Sequence, residues 1–139
     1  MGAEWEFTEG WKSMKSNEFK VLTVCVCGSR DFSDKKYLFE KVDEVIDKLK
    51  EEVVIIEGGS KGADALAVEY ANERKIPYCE FKADWDNLGK AAGPIRNKYM
   101  AEECDVVIAF KRKDRDNKGT NNMINQARKL YKQVYVFEK

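Results

Sequence analysis

The sequence predicts an α/β fold: a single three-layer Rossmann-like domain, with a mostly parallel five-stranded sheet and helices on both faces. Three observations lead there. Short runs rich in β-branched residues recur five times. Segments with helical apolar spacing separate them. The runs are apolar at consecutive positions instead of alternating, which marks strands covered on both faces. Crossovers between such strands are right-handed.

The elements follow in order. Residues 1–17 are polar, with Trp5, Phe7 and Trp11 among charges and glycine, and read as an N-terminal extension; the Rossmann-like domain occupies 18–139. Val21 to Cys27 runs straight into Gly28, a buried strand. Ser33 and Asp34 can cap a helix over 34–50, where Leu38, Val42, Val45 and Leu49 recur at helical spacing. Val53 to Ile56 is a second strand, ending at Glu57-Gly58-Gly59. Ala63 to Arg74 is an alanine-rich helix, and Tyr78 to Lys82 a weaker third strand. A long loop over 86–93 follows. Pro94 then sits in the first turn of a helix running to about Glu103, where its missing N–H costs nothing. Asp105 to Phe110 is the fourth strand, and Lys111 to Asp116 a charged, solvated loop. Thr120 caps the last helix, which reaches about Tyr131 and leads into a fifth strand, Val134 to Phe137.

Composition narrows the chemistry. A chain of 139 residues supports one domain. Lys plus Arg and Asp plus Glu both number 25, so nothing in the overall charge favours duplex DNA or an anionic membrane. Histidine is absent, which excludes Ser-His-Asp and Cys-His hydrolases and histidine-ligated zinc. Cys25 and Cys27 share one face of their strand, too far apart along it for a comfortable disulfide. With Cys79 and Cys104, they read as buried, reduced thiols acting as small hydrophobes. No metal site and no cofactor is expected. The N-terminus lacks an apolar signal segment and no run approaches a membrane span, so the expectation is a cytoplasmic protein with no membrane partner.

In an open parallel sheet, ligands bind beyond the carboxyl ends of the strands. After the first strand, Gly28 allows a sharp turn, Ser29 offers a hydroxyl and Arg30 a cation. After the second come Gly58, Gly59, Ser60, Lys61 and Gly62, a glycine-rich turn opening onto a helix, whose amides can approach a phosphate. The turn is not a Walker loop, because G-x-x-x-x-G-K-[ST] occurs nowhere. Asp84 and Trp85 follow the third strand; the indole is either a core plug or a platform for a base. Arg96 and Asn97 fall in a first helical turn, where the positive dipole end favours an anion. Gly119 and Thr120 expose helix amides beside the first strand's mouth, as a second jaw.

These segments together form a pattern: Gly28-Ser29-Arg30-Asp31-Phe32, Glu57 through Ala67, Ala83-Asp84-Trp85, Lys90 through Met100 and Gly119-Thr120. The set resembles the YspA-type (cpYpsA-related) branch of the SLOG superfamily, over about residues 19–137. That superfamily includes relatives of the LOG/lysine-decarboxylase-like and DprA families. The resemblance implies a Rossmann-like domain that binds nucleotides or nucleotide-derived small molecules, as a sensor or a processing protein. LOG relatives hydrolyse the N-glycosidic bond of nucleoside monophosphates. Arg96 and Met100 match their R-x-x-x-M helix start, and Gly119 and Thr120 match part of their P-G-G-x-G-T-x-x-E loop. The position of their glutamate carries Met123, so a carboxylate would have to come from elsewhere: Asp64 first, then Glu57, Asp31 and Asp84. The plainer reading of Asp64 is that it complements a helix dipole.

Three functional expectations result. The first is a nucleotide-derivative binder, with phosphates on Arg30, Gly58, Gly59, Lys61 and the amides near Thr120, Arg96 on a ribose phosphate and Trp85 over the base. The second is a nucleotide N-glycosidic hydrolase, with Arg96 and Asp64 as catalytic residues. The third is a single-stranded nucleic-acid binder, as an analogue of DprA, using the loop Lys111 to Lys118. Homo-oligomers are common among the relatives, and nothing in the sequence assigns an oligomeric state.

Overall fold

The computed structural model describes residues 5–7 and 20–139. In chain order the elements are β1 (Trp5–Phe7), β2 (Val21–Gly28), α1 (Lys35–Leu49), β3 (Glu52–Glu57), α2 (Ala63–Arg74), β4 (Tyr78–Phe81), α3 (Trp85–Leu88), a 3-10 turn (Gly89–Ala91), α4 (Ala92–Glu103), β5 (Val106–Lys111), α5 (Lys118–Lys129) and β6 (Gln133–Glu138). The sheet order is β1-β4-β3-β2-β5-β6. The expected five strands, β2 to β6, are all parallel, and β1 adds a sixth by pairing antiparallel with β4, Trp5 opposite Phe81. Three residues are too few to show a period, which is why the sequence did not reveal β1. The rest of the 1–17 extension, Trp11 included, lies outside the described residues.

Consecutive apolar residues divide between two cores because successive strand side chains point to opposite faces. Val24, Val26, Val53, Ile55, Val106, Ile108 and Phe110 meet α1 and α2 on one face. Cys25, Cys27, Val54, Ile56, Cys79, Val107 and Ala109 meet α4 and α5 on the other. All four cysteines are buried free thiols on this second face, Cys104 joining them from the end of α4. Burial pushes Cys79 and Cys104 up to about 12, so neither supplies a thiolate near neutral pH.

Three boundaries differ from the sequence reading. The segment expected as a loop over 86–93 is a short helix, in which Asp84 caps α3 by accepting from the Asn87 amide at 3.2 Å, then a 3-10 turn. Consequently α4 starts at Ala92, two residues before Pro94. The last helix starts at Lys118, with Asn117 and not Thr120 at its cap position.

The order places β2 at the centre. The chain steps outward from β2 to β3 and β4, then returns to the opposite side of β2 for β5 and β6. The reversal falls between β2 and β5, and this is where an open parallel sheet leaves a crevice at its carboxyl edge.

Candidate functional site

A hollow of about 300 Å³ opens at that reversal. Cys27, Gly28 and Ser29 at the end of β2 meet the 115–120 segment after β5 across it, and Asp64, Arg96, Met100 and Met123 also line it. Trp85 and Arg30 stand at its rim, both exposed, with the guanidinium carbon 5.9 Å from the indole centroid. The volume lies at the small end of the range for ligand sites.

Close backbone approach builds one wall. Gly62 has φ +73°, and a Cβ there would lie 2.4 Å from the Ser29 carbonyl oxygen. Its conformation lets the start of α2 reach the β2–α1 turn, where the Ala63 amide donates to Ser29 O at 3.2 Å. Ser29 Oγ accepts from the Asp31 amide at 3.2 Å, which holds the turn shut.

The glycine-rich turn after β3 is not the open amide cradle its composition suggests. The Gly59 amide donates to Glu57 Oε1 at 2.6 Å, and the Ser60 amide donates to Asp64 Oδ2 at 3.1 Å. The chain's own carboxylates thus occupy the anion positions. Glu57 has no solvent exposure, and its Oε2 has no hydrogen-bond partner among the described residues. Burial, with the Asp64 charge adding to it, pushes Glu57 up to about 8. Asp64, 5% exposed, is pushed up to about 6 by burial, against the opposing pull of the Ser60 amide and the Arg96 charge.

Arg96 ties this turn to the rest of the site. Only 8% exposed, it donates from Nη1 to Gly58 O at 2.5 Å and to Phe81 O at 3.5 Å, and from Nε to Asn97 Oδ1 at 2.9 Å. A Cβ on Gly58 would lie 2.4 Å from Nη1, so the guanidinium needs glycine at that position. Asn97 Nδ2 donates in turn to Gly119 O at 3.3 Å and Asn122 Oδ1 at 3.1 Å. Two adjacent side chains therefore join the ends of β3 and β4 to the start of α5.

The opposite wall is organised by Asn117, a residue the sequence reading passed over. It takes a left-handed conformation, φ +52°, and its side chain folds back into the preceding loop. Oδ1 accepts from the Arg112 amide at 3.0 Å, while Nδ2 donates to Arg112 O at 2.7 Å and to Arg115 O at 2.9 Å. That side chain is spent on the loop, and the first amide of α5, that of Lys118, donates instead to Asp116 Oδ1 at 3.3 Å. The amides of Gly119 and Thr120 belong to the same helix start, facing the hollow. The charged loop, expected as merely solvated, is pinned: Arg115 Nε donates to Asp31 Oδ2 at 3.0 Å, and Arg112 Nη1 to Asp31 O at 3.3 Å. An asparagine next to a helix start was the available signal. Gly119-Thr120 offers a competing cap signal two residues further on.

Of the residues singled out from the sequence, Gly28, Ser29, Arg30, Ser60, Asp64, Trp85, Arg96, Asn97, Gly119 and Thr120 all line the hollow. Gly58, Gly59, Lys61, Gly62 and Asp84 do not; they shape or support its walls. Arg115, Asp116, Asn117 and Lys118 also line it; the sequence places them in the loop considered for single-stranded nucleic acid and not at a nucleotide site. Of the lining cations, Arg115 pairs with Asp31 and Asp114, Arg96 is hydrogen-bonded to carbonyl and amide oxygens, and Arg30 and Lys118 are the exposed ones with no ion pair among the described residues. No group of acidic and cysteine side chains suited to a metal ion occurs among the described residues. No described helix is long and apolar enough to cross a membrane.

The resemblance read from the motifs stands: residues 22–87 match the family model described as YspA, cpYpsA-related SLOG family. The Gene 61 protein of Mycobacterium phage D29 is 29% identical over 93 residues, which cover 63% of this chain and 74% of the relative. Among solved structures, DNA processing protein A (DprA) from Streptococcus pneumoniae superposes with a TM-score of 0.64 at 22% identity. The match takes in 84% of this chain and 50% of that protein, so the chain spans about half its length. This likeness supports the Rossmann-like fold.

Proposed function

We propose that the hollow binds a nucleotide or nucleotide-derived small molecule, with its phosphate at the start of α5 and its base against Trp85. The observation that carries the reading is the pair of Gly119 and Thr120 amides in the first turn of α5, which no side chain takes among the described residues while Asp116 holds the Lys118 amide, at the crevice between β2 and β5. A phosphate there takes up amides that lack a side-chain cap and gains from the helix dipole. Trp85 is 48% exposed, an unusual placement for an indole with only a packing role, and Gly93 lies against its ring. Arg30 stands where it can follow a base onto the indole face or reach a second phosphate.

A thermal-shift series with AMP, ADP-ribose, NAD and cyclic nucleotides tests the reading. A bound ligand at about a hundred times its dissociation constant adds about 2.7 kcal/mol of stability. No shift across the series, with inorganic phosphate also silent, would overturn it.

Turnover is the second reading, favoured by one observation: Asp64 lies in the hollow and titrates at about 6, within reach of proton transfer at neutral pH. Chromatography of released base from nucleoside monophosphates and NAD decides between binding alone and N-glycosidic hydrolysis. A single-stranded oligonucleotide in the same series tests the nucleic-acid reading, which requires steeply salt-dependent binding.

A further inference from the structure

We infer that Asp64 receives sugar hydroxyls of the ligand, so that the site selects ribonucleotides over their deoxy counterparts; this rests on the nucleotide reading above. The two ends of the hollow offer different groups. At the α5 end are the Gly119 and Thr120 amides and the Lys118 cation, with Asp116 already holding the Lys118 amide at 3.3 Å. At the α2 end is Asp64, a buried carboxylate that lines the hollow and can only accept hydrogen bonds when ionised.

Its neighbours limit what can approach it. The Ser60 amide already donates to Oδ2, and Arg96 is committed to Gly58 O, Phe81 O and Asn97 Oδ1. A phosphate at this end would set like charges together in a partly dry site. A neutral hydroxyl donor meets no such repulsion and forms a charge-assisted bond. The sugar is the part of a nucleotide that carries neutral hydroxyl donors. Arg96, against Gly58 beside Asp64, is linked through Asn97 to Gly119 at the phosphate end, while Arg30 reaches Trp85 at the base end. Asp64 shares one hollow with the start of α5 and with Trp85, and the ribose is the part of a nucleotide between its phosphate and its base.

The test measures binding to the full chain of AMP, GMP, CMP and UMP and of their 2′-deoxy and 3′-deoxy counterparts. The expected result is that the best ribonucleotide binds about tenfold or more tightly than at least one of its deoxy forms. Asp64→Ala is expected to bring that ratio to about one, mainly by weakening the ribonucleotide. If both deoxy forms bind within about twofold of the ribonucleotide, the inference is overturned and the nucleotide reading survives. If no nucleotide in the series binds, both fall. A ratio that persists in Asp64→Ala removes the assignment to Asp64. Should that variant fail to fold, the ratio in the unaltered protein decides by itself.

Discussion

The two loops that face each other across the site solve the same problem in opposite ways. The loop after β3 contains Gly58, Gly59 and Gly62, a composition that usually exposes amides, yet Glu57 and Asp64 fill those amides from within. The loop after β5 is crowded with charge, yet Asn117 and the Arg115–Asp31 pair fold it back on itself, and Asp116 takes the Lys118 amide but leaves those of Gly119 and Thr120 open. Glycine content alone does not make an anion site; what matters is whether another acceptor has already taken the amides. The first loop is a self-satisfied wall, and the second is the receptive one.

The largest expected effect breaks the first loop. Arg96→Ala removes the buried donor to Gly58 O and the cation beside Asp64, and should lower unfolding free energy by about 3–5 kcal/mol in urea titration. A loss below about 1 kcal/mol would mean that the guanidinium is not the tie described here.

Next comes the proton on Glu57. Its folded value is raised to about 8 from an ordinary 4.5, so the folded chain holds a proton that the unfolded chain releases. Stability is therefore full below about pH 4.5 and declines as pH rises toward 8. The decline attributable to this group is roughly 2–4 kcal/mol. Glu57→Gln should flatten the fall in melting temperature with rising pH, and an unchanged slope would place the titration elsewhere.

Gly119→Asp turns the second loop into a copy of the first. A Cβ at Gly119 meets nothing within 4 Å, so the carboxylate can be accommodated and can complement the α5 dipole. Stability should hold or rise by about 0.3–1 kcal/mol, while nucleotide affinity falls about tenfold or more. Retained affinity would move the phosphate away from α5.

The smallest effect separates two lysines. Lys118 lines the hollow and Lys61 does not, so Lys118→Ala should weaken nucleotide binding about three- to tenfold at low salt, with Lys61→Ala within about twofold. The reverse ranking would restore the glycine-rich loop as the phosphate cradle.

Much of this was legible beforehand because it depends on local pattern. Runs such as Val53 to Ile56 announced strands buried on both faces, and the position of Asp34 before α1 announced its cap, which the Tyr37 amide completes at 3.1 Å. Arg96 is legible as a site residue because it falls in a first helical turn, where the positive dipole end favours an anion. The expected phosphate ligand instead grips two carbonyls. Asp84 was expected at the ligand and instead caps α3. Residues 86–93 carried no periodic apolar signal, so their helix and 3-10 turn were not visible.

The sequence by itself determined the order of strands and helices, the burial of the four thiols and most of the residues that gather at the strand ends. Those follow from periodicity and from the cost of exposing apolar surface, both local properties of the chain. Which amides stay available, and which charges are already matched, was decided by the tertiary structure alone. Glu57, Asp64, Arg96 and Asn117 each find their partners through turns and contacts that close only when β3, β4 and β5 lie side by side, and hydrogen bonds between such segments leave no period in the sequence.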